Sequence, residues 1–266
     1  MLTITKTKLN VGIEKPVKIL HITDVHLTIA NEKDTPEHHQ LMKERFEVFH
    51  NPERLTPKEY FEQAITLAKR EDALLICTGD AIDIHTHGNV ETFWEIVGKN
   101  DMMFTPGGHE FQRVCKRTME EPYPYWETVK PQVEKEFAPF NLHFDSRIIN
   151  GLNVITADNS LDFFSKETLV AFKKELEKGL PIIVFCHDPL WDGLLYKTEP
   201  YHPNVRLTPE DYKHSHEMID LLLTHPLVVT TFGGHGHRDE ERKIKEKIHY
   251  MTAGLFKGVA RMIEIV

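Results

Sequence analysis

Five short apolar runs recur along the chain, and each stops abruptly at a polar or glycine-bearing segment. Residues 17–23 end at Asp24-Val25-His26, 73–78 at Gly79-Asp80, and 102–105 at Pro106-Gly107-Gly108-His109-Glu110. Residues 182–186 end at His187-Asp188-Pro189, and 227–232 at Gly233-Gly234-His235-Gly236-His237. Near-continuous apolar runs of this length predict strands covered on both faces. Helical patterns lie between them. Thr56-Pro57-Lys58-Glu59 is a capping box with Pro at the first helical position, predicting a helix to about Arg70. Asn89 is the expected cap of a helix through Val97 that ends at Gly98. Ser165 is the expected cap of one running to Lys178, with Gly179 as its stop and Pro181 beyond. Thr208-Pro209 opens a further helix through Leu223. Asn150-Gly151, between 146–149 and 152–156, predicts a hairpin turn. Two closing strand-like stretches, about 243–252 and 258–266, are expected to pair antiparallel around Gly254. Residues 27–55 are charged and weakly periodic and read as an insertion over the first strand's end, with no role legible in them. With no internal repeat or low-complexity linker, the expectation is one α/β domain over 1–266.

Composition narrows the partners. The 266 residues carry 32 Lys and Arg against 41 Asp and Glu, a formal charge of −9. Long nucleic acids and anionic membranes both need a phosphate-neutralising basic surface, so neither is an expected partner. Hydrophobic content of 40% with 27% charged residues suits a folded soluble chain. No run approaches the roughly 20 apolar residues of a membrane span, and the first residues lack a signal peptide's apolar core, so the expected location is cytoplasmic. Three cysteines make no disulfide framework, and Cys77 and Cys186 lie in apolar runs where thiols pack as small hydrophobes. The 17 histidines outnumber the 8 Met and 7 Tyr together, which makes their placement the central question.

Carboxylates and imidazoles gather after the five apolar strands, at the C-terminal sheet edge where α/β proteins bind ligands. Two adjacent divalent ions need oxygen and neutral imidazole ligands, with one carboxylate serving both. Asp24 and His26, at i and i+2, are expected to project to one side of a strand end. Asp80, on the neighbouring strand end, is placed to bridge. His235 and His237 repeat the spacing, with flanking glycines expected to turn the backbone so that each imidazole serves a different ion. Without cysteine ligands, a structural zinc or iron–sulfur site is disfavoured.

In order and spacing, Asp24-x-His26, Gly79-Asp80-x-x-Asp83, Gly107-Gly108-His109-Glu110, His187 and Gly234-His235-x-His237 resemble the calcineurin-like metallophosphoesterase family. The resemblance runs from about residue 17 to 237. It implies a four-layer αββα sandwich with mixed sheets and a pair of divalent or transition metal ions, manganese, iron or zinc. On it, Asp24, His26, Asp80 and His237 hold the first ion, and Asp80, His187 and His235 the second. His109 is then the general acid at the leaving group, and Asp83 orients it. The implied activity is hydrolysis of a phosphodiester or small phosphomonoester by metal-activated hydroxide, with a small phosphate ester as the partner. Asp83 is followed by Ile84, so the Gly-Asp-x-x-Asp-Arg-Gly extension of the Ser/Thr protein phosphatases is absent. Gly108 stands where the family writes Asn, whose carbonyl oxygen would serve the second metal. That site is then weaker, or water or another side chain fills the gap. The rival from another class is a catalytically weakened or non-catalytic metal-binding scaffold, which has no need of the His109–Asp83 pair.

The remaining candidates have blander readings. His85 and His87 read as solvated loop residues, the alternative being that they lean over the site or replace the missing Asn. Trp191 and Tyr196, in the loop after His187, either stack on an aromatic leaving group or pack beneath the loop. His214 and His216 point to different helix faces as solvated residues, and His38-His39 is expected to be exposed. His21 reads as a satisfied core residue, and Arg238–Lys247 as a solvated strand and turn.

Overall fold

The computed structural model describes residues 1–112, 124–190 and 207–266. The elements run β1 (Thr3–Leu9), β2 (Val17–Ile22), α1 (Pro36–Phe49), α2 (Pro57–Glu71), β3 (Leu74–Thr78), α3 (His87–Val97), β4 (Met102–Thr105) and α4 (Pro124–Glu136). There follow β5 (Phe144–Ile149), β6 (Leu152–Ala157), α5 (Lys166–Leu176), β7 (Ile182–Phe185), α6 (Pro209–Thr224), β8 (Val228–Gly233), β9 (Glu240–Ile244), β10 (Lys247–Met251) and β11 (Val259–Ile265).

Alternation along the buried strands generates the layers. In β2, Ile19 faces one core and Leu20 and Ile22 another; in β3, Ile76 faces the first and Leu75 and Cys77 the second. In β7, Ile183 and Phe185 join Ile19 and Ile76, while Ile182 and Val184 face a third core. Three apolar layers separate four structural ones. The first sheet, ordered β1-β11-β2-β3-β4, packs α2, α3 and α4 on its outer face. The second, β5-β6-β7-β8-β10-β9, packs α5 and α6. Both sheets are mixed: β2, β3 and β4 run parallel with β11 antiparallel to β2, and β6, β7, β8 and β10 run parallel between antiparallel edges. This is the expected αββα sandwich. Burying both faces explains why the strands read as continuous apolar runs.

Local signals mostly hold. Thr56 and Thr208 form full capping boxes, and Ser165 caps α5, which stops at Leu176 rather than Lys178. Asn150 and Gly151 both take positive φ, 50° and 82°, the backbone an Asn-Gly hairpin turn requires.

Two expectations are corrected. The cap of α3 is Thr86, not Asn89: the Asn89 N–H donates to Thr86 Oγ1 at 3.1 Å. Asn89 instead uses its amide to tie the chain before α1 to the strand-end loop, accepting from Ile29 N and donating to Ile84 O. The closing strands do not pair with each other around Gly254. The stretch assigned to 243–252 is the end of a β9–β10 hairpin in the second sheet, whereas β11 lies in the first sheet between β1 and β2. The physical reason lies in β11's two apolar faces: Ala260 and Met262 enter one core, and Ile263 and Ile265 the other. Such a strand belongs inside a sheet. Edge strand β1, helix α4 and the insertion's helix α1 were not legible in the pattern.

Candidate metal centre

All the predicted site residues lie at one edge, where the two sheets present their C-terminal strand ends. Asp24 and His26 lie beyond β2, so strand pleating does not align them. Both adopt the left-handed backbone, at φ 51° and 53°, as do Asp80 at 48°, His235 at 63° and His237 at 52°. Positive φ is uncommon outside glycine, and five such residues around one site mark backbone held in place by its surroundings. Hydrogen bonds between the first two loops supply part of that hold: Asp24 N–H donates to Gly79 O at 2.9 Å and His26 N–H to Asp80 O at 2.8 Å. The glycines beside the histidines have another duty than the one expected. They do not carry the turn; Gly234 allows close approach, since a Cβ there would overlap Thr23 and Asp24.

The side chains converge in two groups that share Asp80: Asp24, His26, Asp80 and His237, and Asp80, His187 and His235. Asp24 Oδ1 is 3.0 Å from His237 Nε2 and 3.8 Å from His26 Nε2. The two Nε2 atoms are 3.3 Å apart. Asp80 Oδ2 stands 3.8 Å from His26 Nε2 on one side and 3.3 Å from His187 Nε2 on the other. Hydrogen bonds behind these rings fix which nitrogen faces inward. His26 Nδ1 meets Asp83 Oδ1 at 3.0 Å, and His187 Nδ1 meets Thr78 O at 2.6 Å. Each Nε2 is thereby left with its lone pair toward the cluster, as in metal-ligating histidines. Two buried atoms, Asp24 Oδ1 and His187 Nε2, have no aligned hydrogen-bond donor or acceptor. One belongs to each group, and a cation held between the ligands would satisfy both. The donor set fits two ions. Burial alone would push the Asp24 carboxyl up, but His237, with Nε2 3.0 Å away, and the nearby His187 hold it at about 2. Asp80, against the same effect of burial, is drawn well below the usual range by His187 and His109.

His109 stands beside the first group. Its Nδ1 lies 2.7 Å from the Asp83 carbonyl oxygen and 3.1 Å from Asp83 Oδ1, so Asp83 reaches it through both backbone and carboxylate. Burial opposes charging this ring, but Asp80 and Asp83 outweigh it and raise it to about 9. Glu110 braces the two loops from beneath: its carboxylate accepts from the backbone N–H groups of Asp80, Ala81, Ile82 and Gly107.

Among the residues at the site that were missed in the sequence, Phe256 packs against the His237 ring, and two others come from the insertion. Arg45 donates to both oxygens of Asp83, at 2.6 and 2.9 Å. Phe49 stacks on His26. His26, Asp83 and His109 also lie close enough to suggest a third ligand group, but the Arg45 guanidinium already occupies the Asp83 carboxylate. The signal for this pair was present only as Arg45 and Phe49 at i and i+4, the spacing of one helix face.

His85 is neither solvated nor at the site: it is buried, with Nε2 2.6 Å from Glu136 Oε2. His87 is exposed, as is His39, while His38, His214 and His216 are half-buried. His21 is a satisfied core residue, bonded to Thr78 and Thr252. Trp191 and Tyr196 lie outside the described residues. Gly108 has ordinary right-handed backbone, φ −67° and ψ −29°.

Comparison with known proteins points the same way. The family model described as calcineurin-like phosphoesterase matches residues 17–239. Among solved structures, a dimetal phosphatase from Danio rerio superposes with a TM-score of 0.50 at 13% identity, over 90% of this chain and 88% of that one. A phosphopantetheinyl hydrolase from Mycobacterium tuberculosis gives a TM-score of 0.47 at 13% identity, with 90% of each chain covered. Likeness at such identity speaks to fold alone, and only the first is close enough to support it. No curated protein matches the sequence significantly.

Proposed function

Because this chain belongs to the calcineurin-like phosphoesterase family, we propose that it is a metal-dependent hydrolase of a phosphodiester or small phosphomonoester. The observation that carries this reading is the placement of His109, held by Asp83, next to two ligand groups that share Asp80. Two ions of manganese, iron or zinc, held by Asp24, His26, Asp80 and His237 and by Asp80, His187 and His235, would supply charge neutralisation at the phosphoryl group and a water of lowered pKa. Asp80 supplies anionic charge to both positions. His109, charged at neutral pH and anchored through Nδ1, gives its remaining proton to the leaving oxygen. Cations beside Asp80 would lower the raised affinity of His109 for that proton and make it a better acid.

The charge of −9 favours a small substrate over a long nucleic acid. Buried thiols at Cys77 and Cys186 suit the reducing cytoplasm, and among the described residues no helix is long and apolar enough to cross a membrane. One observation favours a second reading, a weakened or non-catalytic metal-binding scaffold: Gly108 stands where the family writes the Asn that would serve the second ion. The test is turnover of aryl phosphomonoesters and phosphodiesters by chelator-treated protein resupplied with manganese, iron or zinc. Turnover with at least one metal is expected. Metal uptake without turnover of either ester leaves the scaffold reading standing.

A further inference from the structure

We propose that helix α1 of the insertion is a clamp on the site, with Arg45 as a positioning residue that acts through Asp83 on His26 and His109. The inference rests on the phosphoesterase reading for what His109 does, but its geometry is independent of that. Asp83 is fully buried and its Oδ1 faces three nitrogens: His26 Nδ1 at 3.0 Å, His109 Nδ1 at 3.1 Å and Arg45 Nη2 at 2.9 Å. Arg45 Nε takes Oδ2 at 2.6 Å. A carboxylate gripped by two histidines through one oxygen is free to swing about that oxygen. A guanidinium fork on both oxygens fixes its plane. Fixing the plane bears on two rings at once, because the same oxygen bonds the proposed first-ion ligand and faces the proposed acid, whose Nδ1 also meets the Asp83 carbonyl oxygen at 2.7 Å.

The way α1 is seated supports this reading. Of its 14 residues only Met42 and Phe49 are buried, too little apolar area to dock a helix by itself. Polar anchors hold it instead. Asp34, just before the Thr35 cap, accepts the backbone N–H groups of His87 and Gly88 at the start of α3. Arg45 on Asp83 fastens the middle, and Phe49, one turn later, lies over His26. The helix thus meets the site through both of the groups that orient His26.

The experiment compares Arg45→Met and Arg45→Lys with the wild type in the full chain, after melting curves confirm that each folds. The first measurement is retention of manganese or zinc against a competing chelator. The second is the ratio of turnover for an alkyl phosphate ester to that for a nitrophenyl ester, whose leaving group needs no proton. Arg45→Met should weaken retention by about 10–100-fold, the usual effect of removing a group that orients a ligand. It should also lower the alkyl-to-nitrophenyl ratio by about tenfold. Arg45→Lys should recover part of both, because an ammonium restores charge without the fork. A folded Arg45→Met with retention and ratio unchanged overturns the proposal, as does a fall in melting temperature alone. If Arg45→Met does not fold, Arg45→Lys decides: both measurements at wild-type values overturn the proposal. If the wild type turns over neither ester, the phosphoesterase reading fails, while ion retention still decides the clamp.

Discussion

The ring of Phe49 lies flat on the imidazole of His26, with centroids 3.9 Å apart and planes within 7° of parallel. Phe256 closes the corner, 5.0 Å from Phe49 and 4.9 Å from the His237 ring. Two phenyl rings therefore wall one side of the first ligand group, keeping water from the histidines and raising the strength of charge interactions there. Phe49→Ala should cost about 3–5 kcal/mol by emptying that corner. Denaturant unfolding measures it; a loss below 1 kcal/mol would mean the ring does not pack as described.

Removing a ligand should separate the two ions. His237→Ala takes a nitrogen from the first group only, and His187→Ala from the second only. Elemental analysis after gel filtration should show each variant losing about one equivalent of metal relative to the wild type. Added manganese or zinc should raise the wild-type melting temperature by mass action on the folded state. Loss of both ions from either variant would show that the groups do not load separately.

The His109 side chain belongs to neither of the two groups that share Asp80, and its backbone N–H, which donates to Asp80 Oδ1 at 3.0 Å, survives substitution, so His109→Ala should keep metal content while losing turnover. General acids contribute about 10²–10⁴-fold, and the loss should be largest for an alkyl ester. Equal losses for alkyl and nitrophenyl esters would remove His109 from the leaving group.

Gly108→Asn tests the departure in the glycine-rich loop. At φ −67° the position accepts any side chain without backbone strain. A restored amide oxygen should tighten the second ion, seen as slower loss of one equivalent to a mild chelator. Unchanged loss from a folded variant would show that another group already serves there.

Much of this was legible because the fold and the site use different signals. Strands buried on both faces leave apolar runs, and the residues just past them carry the chemistry, so all eight predicted site residues fall at one edge. What the sequence hid was contact made at a distance. Nothing near Arg45 announces Asp83, and α1 buries too little to imprint a clear periodicity. The closing strands misled for a related reason: adjacency favours a hairpin, but β11 carries apolar residues for two different cores. The left-handed backbone of Asp24, His26, Asp80, His235 and His237 was hidden too, since it is imposed by neighbouring loops rather than by glycine.

Acid should act on two histidines far from solvent. Burial lowers His249 to about 3; burial lowers His21 likewise, with Arg261 and His249 adding and Asp24 opposing. Both folded values lie below the unfolded value of about 6.5. Their neutral rings therefore cost nothing above pH 6.5, and stability is lost as pH falls from there toward 3. Glu110, raised to about 7, titrates in the opposite sense across part of that window, so the variant comparison isolates the histidine. Relative to wild type, His249→Gln should lose less stability between pH 6.5 and 5, by up to about 1.4 kcal/mol per pH unit. Parallel pH profiles from denaturant unfolding would refute it.

The seat of β11 has a consequence for how the protein is made. Thr3 pairs with Val259, and among the described residues β1 has no other neighbour in its sheet. Synthesis runs from the N-terminus, so β1 waits for this partner until β11 has left the ribosome. The sheet behind Asp24, His26 and Asp80 therefore closes only after His235 and His237 already exist. A nascent chain has bare strand edges where its neighbours will later bind, an invitation to other chains. Every residue that would hold an ion lies between Asp24 and His237, so the last of them is made before the strand that completes the sheet behind them.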